Sequence, residues 1–160
     1  MKKSIFLGVF ISVGLILSSP AAQAQDGAPT TVSLAMAETI IDAAKAKAEQ
    51  EGWKMSFAVV DSFGRPVAMV RWMTPKVAHG KALTSATFGR PSATVEEFTK
   101  NRPQLFKNVQ KMIGESLLPA GGGLPIEVDG KLLGGIGASG GTEAEDIEAA
   151  QAGLDALRAQ

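Results

Sequence analysis

The fold of this chain is decided by residues 55–72, whose sequence is MSFAVVDSFGRPVAMVRW. Met55 to Asp61 and Pro66 to Trp72 are two apolar runs rich in β-branched and aromatic residues, which is typical of strands. The residues between them, 62–65, have the length of a hairpin loop and carry a glycine at the third position. The stretch therefore predicts two adjacent antiparallel strands.

A second hairpin is predicted nearer the C-terminus. Residues 126–128 and 131–138 are mainly apolar, and Asp129-Gly130 between them is a strong two-residue turn sequence. The segment before them, 120–125 (AGGGLP), has the composition of a loop. The two hairpins supply four strands of a sheet that we expect to contain about four to five.

The first and last helices have clear end residues. Ser33 is a candidate N-cap and Gly52 a candidate end for the first helix, and Thr142 with Glu145 forms a capping box for the last. The apolar positions expected to face inward are Leu34, Ala37, Ile41, Ala44 and Ala48 in the first helix, and Ile147, Ala150, Leu154 and Leu157 in the last.

Further helices are predicted between the hairpins. One extends from Lys76 to about Phe88, with Val77, Leu83 and Ala86 facing inward. Residues 92–115 predict two short helices, because Pro103 interrupts the run. Hairpins separated and flanked by helices favour an α+β fold, in which helices cover an antiparallel sheet.

The first 24 residues have the organisation of a secretory signal peptide. Lys2 and Lys3 precede a thirteen-residue apolar run, 5–17, and a small-residue cleavage sequence follows. The run is shorter than the about 20 apolar residues of a membrane-spanning helix, so we expect no stable membrane insertion after cleavage. We therefore divide the chain into a signal peptide (1–24), a flexible lead-in (25–32) and one domain (33–160), and expect a periplasmic or secreted protein.

Composition limits the chemistry available after cleavage. Loss of Lys2 and Lys3 lowers the basic count from 16 to 14 against 16 acidic residues, and a net charge of −2 disfavours a nucleic-acid partner. With no cysteine, the chain has no disulfides, thiolate metal sites or cysteine nucleophiles. With one histidine and no tyrosine as well, a binding protein is favoured over a catalyst.

Residues 135–140, GIGASG, match the G-x-G-x-x-G pattern of dinucleotide-binding loops without its context. Only twenty residues follow Gly140, and the last predicted helix uses them, so no second parallel strand can complete the unit. Two interpretations of the glycines stay open. Either they leave free N–H groups where a carboxylate could dock, or they allow tight strand–helix packing while Thr142 satisfies those groups.

Few residues are candidates for ligand chemistry. His79 alone cannot build a structural zinc site, but haem iron needs a single axial ligand from the protein. A solitary histidine is also common as an ordinary surface or core residue. Asp61 and Arg71 are expected to approach each other across the first hairpin, and Asp61 or Lys81 is the candidate general base if the protein is an enzyme.

Several short motifs follow one another in order along the chain. They are AVVD-x-x-G (58–64), Arg71, A-x-x-KA-x-TSA (78–86), GGG-x-PI (121–126) and G-x-x-x-GGIGASGG (130–141). The set spans residues 33–157 and resembles the GlcG/HbpS family of haem-binding domains. The resemblance implies a layered α/β domain related to the profilin-like folds, which forms homo-oligomers, binds haem and takes part in iron handling or oxidative-stress responses.

The resemblance also directs attention to particular residues. Many relatives carry Asp-Gly-Ala after the strand arginine, where this chain has Trp72 to Pro75, and its first helix lacks the histidine of some relatives. The iron ligand expected from the resemblance is therefore His79 or Met73. Lys81 or Arg71 is expected to pair with haem propionates. The residues assigned to the cofactor site are His79, Met73, Arg71, Lys81, Asp61, Gly122, Gly123, Gly140 and Gly141.

The sequence thus favours a periplasmic, oligomeric haem- or tetrapyrrole-binding protein. The alternative is a binder of a small organic acid or metabolite, or an enzyme acting on one, with Asp61, Arg71 and Lys81 around the same cleft. A scaffold whose only function is assembly is the third hypothesis.

Overall fold

The computed structural model describes residues 29–114 and 117–160. The predicted signal peptide and residues 25–28 of the lead-in lie outside this part of the chain. The helices are α1 (Leu34–Gln50), α2 (Pro75–Phe88), α3 (Val95–Asn101), α4 (Pro103–Ile113) and α5 (Glu143–Arg158), with a 3-10 turn at Ser92–Thr94. The strands are β1 (Ser56–Asp61), β2 (Pro66–Val70), β3 (Gly123–Val128) and β4 (Lys131–Ser139). Among the described residues, no helix has the length and apolar character needed to cross a membrane.

These strands form one antiparallel sheet with the order β2-β1-β4-β3. The two predicted hairpins, β1-β2 and β3-β4, are present, which confirms the α+β fold with its antiparallel sheet. In the second hairpin, Asp129 has φ 52° and Gly130 has φ 73°, the left-handed backbone that a two-residue turn requires. The strands β2 and β3 are the sheet edges.

Two strand boundaries differ from the prediction by more than one residue. β3 begins at Gly123, inside the predicted loop, because Gly123 pairs with Gly137 of β4. β2 ends at Val70 rather than Trp72, because the Trp72 N–H donates to the Ser56 hydroxyl at 2.8 Å instead of to a strand carbonyl.

Helices cover the two faces of the sheet. α1 and α5 cover one face, where Phe57 and Val59 of β1 belong to the main core. α2 covers the other face against Ala58 and Val60. The alternation of side chains along β1 therefore divides the interior into two cores.

α2 lies very close to the sheet because its contact residues are small. A Cβ atom at Gly137 or Gly135 of β4 would collide with the carbonyl oxygens of Ala78 and Ala82, respectively. The glycine-rich strand therefore serves tight strand–helix packing. Val77, which was expected to face inward, is only half-buried because α2 turns Ala78 and Ala82 to the sheet.

The N-terminal ends of α1 and α5 are capped as predicted. The Ser33 hydroxyl accepts from the Met36 N–H at 3.2 Å. Thr142 and Glu145 form the reciprocal capping box, with the Thr142 N–H donating to Glu145 Oε2 at 2.7 Å. Of the two interpretations of the glycine-rich segment, the structure confirms the one in which the helix's own residues satisfy its first N–H groups.

Two apolar residues assigned to inner faces are exposed instead. Leu34 is 56% exposed in the first turn of α1, and the buried stripe begins at Ala37. Ile147 is 37% exposed because the neighbouring Asp146 faces the interior. Periodicity of apolar residues cannot reveal an inward aspartate.

α3 and α4 enclose a separate small core. The chain leaves the helical conformation at Arg102, immediately before Pro103, which confirms the predicted break. The buried members of this core are Leu83, Val95, Phe106 and Leu117.

The end of the predicted lead-in packs onto the domain. Val32 is buried in the main core, and its N–H donates to Leu133 O at 3.3 Å. Val32, which was predicted to lie in the flexible lead-in, is therefore packed into the domain.

Candidate functional site

The edge strand β2 separates two surface grooves on opposite faces of the sheet. Ala58, which faces α2, pairs with Met69, whereas Phe57, which faces α1, pairs with Val70. The histidine groove, of about 220 Å³, is lined by Pro66, Met69, Pro75, Lys76 and His79. The indole groove, of about 270 Å³, is lined by Lys45, Ala48, Glu49, Trp53, Lys54, Met55, Phe57, Val70, Arg71 and Trp72.

The start of α2 positions His79 in the histidine groove. The helix begins at Pro75, a favourable first helical residue, and Thr74 Oγ1 donates to the carbonyl of Ser139 at 3.1 Å. His79 lies one turn after Pro75, so the two side chains share one side of the helix. The groove thus brings together one imidazole, one thioether, two proline rings and one ammonium group.

The indole groove contains the two tryptophans of the chain. The backbone N–H of Trp53 donates to Ala48 O at 2.8 Å, and the backbone N–H of Trp72 donates to the buried Ser56 hydroxyl at 2.8 Å. Lys54 Nζ lies 5.5 Å from the centroid of the Trp72 ring, within the range of a cation–π interaction. Hydrogen bonds therefore hold the backbone of each tryptophan in place.

Lys81 does not lie in either groove, because it forms a buried ion pair with Asp146. Lys81 Nζ is 2.6 Å from Asp146 Oδ2, and the two side chains are 5% and 3% exposed. Lys81 Nζ also donates to Ala138 O at 3.2 Å, and Asp146 Oδ1 accepts from the Gly141 N–H at 3.1 Å. The pair joins α2 to α5 across the end of β4, so a surface ligand could reach Lys81 only by breaking it.

Three of the four glycines predicted to shape a ligand pocket lie around this ion pair instead. A side chain at Gly122, whose φ is 106°, would come within 2.6 Å of Asp146 Cβ and 3.1 Å of Lys81 Nζ. A side chain at Gly123 would collide with Lys81 O, and the Gly141 N–H donates to Asp146. The fourth, Gly140, has a φ of 146° and packs against the backbone of Lys54, and none of the four lines either groove.

Asp61 stabilises the first hairpin turn and pairs with Arg65, which corrects the expected approach to Arg71. Its Oδ1 accepts from the N–H groups of Phe63 and Arg65, each at 2.9 Å, and Oδ2 lies 2.7 Å from the Arg65 guanidinium. Burial acts to raise the pKa of Asp61, but the hydrogen bonds from Arg65 and Phe63 outweigh it and hold the pKa below the ordinary 3.8.

The predicted site residues therefore do not share one hollow within the described chain. Lys81 lies in the interior, and His79 and Arg71 line grooves on opposite faces of the sheet. The single cleft proposed for Asp61, Arg71 and Lys81 is not formed either. Met73 lies in the loop between β2 and α2, where it is 81% exposed and lines neither groove.

The histidine groove contains four residues that were not assigned to a site from the sequence. Pro66, Met69, Pro75 and Lys76 line this groove together with His79. The alternation of side chains along β2 could have identified Met69 from the sequence, because it places this residue on the α2 face of the sheet. Lys76 was identifiable as a helix neighbour of His79 at i−3.

Comparison with known proteins identifies the family. The family model described as haem degrading protein HbpS-like matches residues 32–155. This chain belongs to the HbpS-like family. The protein GlcG of Escherichia coli strain K12 is 31% identical over 113 residues, which cover 68% of this chain and 81% of GlcG. The family expected from the ordered motifs is therefore confirmed.

Two solved structures share the fold. A double mutant of HbpS from Streptomyces reticuli is 26% identical with a TM-score of 0.70, covering 86% of this chain and 96% of the other. The PduOC:heme complex is 23% identical with a TM-score of 0.68, covering 79% of this chain and 94% of the other. The second likeness, at its low identity, supports the fold alone.

Proposed function

We propose that this protein binds haem in the histidine groove, with His79 as the axial ligand of the iron. The observation that carries the proposal is that the single histidine of the chain lines an apolar groove beside Met69 and Lys76. The family adds support, since its model is described as haem degrading protein HbpS-like.

The groups in the groove fit the parts of a haem. Imidazole nitrogen is a common axial ligand of haem iron. The Met69 thioether and the rings of Pro66 and Pro75 offer a polarisable, apolar surface for the porphyrin. The Lys76 ammonium is suited to pair with a propionate. When bound, haem would supply an iron centre capable of redox chemistry, while these side chains orient it and limit the access of water.

A groove of about 220 Å³ is smaller than the about 300–1,000 Å³ of typical ligand pockets. It can cover only part of a porphyrin. We therefore include in the proposal a homo-oligomer in which a second copy covers the rest of the haem. Met73, 81% exposed beside the groove-lining Pro75, is available for such a contact.

We also propose that the protein acts outside the cytoplasm. The charged start, apolar run and cleavage sequence within residues 1–24 support export to the periplasm or beyond. An exported haem-binding protein of this family would act in haem or iron handling or in the response to oxidative stress.

Hemin titration of the purified protein tests the proposal. We expect a shifted Soret band that saturates with hemin, and its loss in His79→Ala. Lys76→Gln should weaken binding without abolishing the shifted band, because it removes one propionate partner only. Lys131→Gln, an exposed lysine at the start of β4, is the matched control and should bind as the unmodified protein does. An unshifted spectrum, or an unchanged one in His79→Ala, would contradict the proposal.

A further inference from the structure

The indole groove is a second concave site that the haem proposal does not use. Its walls come from the end of α1 and the end of β2, and its aromatic surface is provided by Trp53 and Trp72. The backbone of each tryptophan is fixed by a hydrogen bond of 2.8 Å. A site with anchored walls can bind a ligand without a large cost of ordering.

The charge around this groove is asymmetric. Lys45, Lys54 and Arg71 line it against the single acidic residue Glu49. Within residues 29–114 and 117–160, neither Arg71 nor Lys45 forms an ion pair, and Lys54 contacts the face of the Trp72 ring. The cationic rim is therefore complementary to an anion.

We propose that the indole groove binds a small aromatic carboxylate, with the ring against Trp53 and Trp72 and the carboxylate on Arg71. Arginine suits the second role because its planar guanidinium can donate two parallel hydrogen bonds to a carboxylate. Lys54, already over one indole, would add a second positive charge near the ring. A volume of about 270 Å³ limits the ligand to one or two rings.

Intrinsic fluorescence tests this proposal directly, because Trp53 and Trp72 are the only tryptophans in the sequence. Emission excited at the red edge of the indole band therefore reports this groove alone. Phenylacetate is the probe, titrated to about 10 mM, a range that covers weak binding. We expect a saturable change in emission.

Two matched compounds separate the parts of the proposed ligand. Phenylacetamide lacks the charge and should bind about tenfold or more weakly, because a hydrogen bond to a charged group is lost. Cyclohexylacetate lacks the aromatic ring and should bind about two- to tenfold more weakly. Equal affinity for either compound would overturn the proposed ligand class.

Variants identify the groove and separate it from the haem site. Arg71→Gln should weaken phenylacetate binding about tenfold or more and leave the melting temperature unchanged, because Arg71 is exposed. His79→Ala should keep the full phenylacetate response. The proposal is overturned if phenylacetate gives no saturable change, or if Arg71→Gln binds it as the unmodified protein does. The haem proposal is unaffected by that result, since it concerns the opposite face of the sheet.

Discussion

Removal of Asp146 should destabilise the protein strongly, because it leaves the Lys81 ammonium buried with Ala138 O as its remaining partner. The two side chains are 5% and 3% exposed, so water cannot readily replace the lost carboxylate. Breaking such a pair from one side costs about 3–5 kcal/mol. That is a large part of the about 5–15 kcal/mol by which a domain of this size is stable. The Gly141 N–H also loses its acceptor.

Urea denaturation at pH 7 of four proteins measures the effect: the unmodified chain, Asp146→Ala, Lys81→Met and the double variant. Each single change should lower the free energy of unfolding by about 3–5 kcal/mol. The double variant should lose less than the sum of the two, by about 2 kcal/mol or more, because neither charge is left alone. A loss below about 1 kcal/mol in Asp146→Ala, or additive losses in the double variant, would refute the reasoning.

Three further predictions concern stability. The pKa of Asp61 is lower in the folded protein than its ordinary value, so the stability it provides is present above about pH 4 and is lost as the pH falls through the folded pKa. Unfolding free energies at pH 7 and pH 3 should therefore differ less in Asp61→Asn than in the unmodified protein, and an equal difference would show that Asp61 is not responsible. Gly137→Ala should destabilise by about 1–3 kcal/mol, because its Cβ collides with Ala78 O; a thermal melt matching that of the unmodified protein would count against close helix–sheet packing. Thr142→Ala removes the α5 cap and should cost about 0.5–2 kcal/mol in urea titration, whereas no change would mean that the capping box contributes nothing.

The parts of the fold that depend on local sequence were predictable. Asp129-Gly130 determines its hairpin, and Thr142 determines the start of α5, because the relevant hydrogen bonds join residues a few positions apart. The break before Pro103 is local in the same sense. Strand ends were less predictable, since β3 extends to Gly123 only because β4 provides a partner.

The composition of the site was not predictable, because it depends on contacts between distant segments. Lys81 and Asp146 are 65 residues apart, and their pairing requires α2 and α5 to meet at the end of β4. The sequence also presents Arg71 and His79 as near neighbours, eight positions apart. Because β2 ends at Val70, Arg71 does not follow the alternation that places Met69 on the α2 face, and it lines the groove on the opposite face from His79.

The position of the iron in a crystal of the hemin complex tests the central claim most directly. Anomalous scattering at the iron absorption edge locates the metal independently of how the porphyrin is built. We predict one strong peak in the histidine groove, within coordination distance of the His79 imidazole. An iron peak in the indole groove, or elsewhere on the surface away from His79, would contradict the proposed haem site.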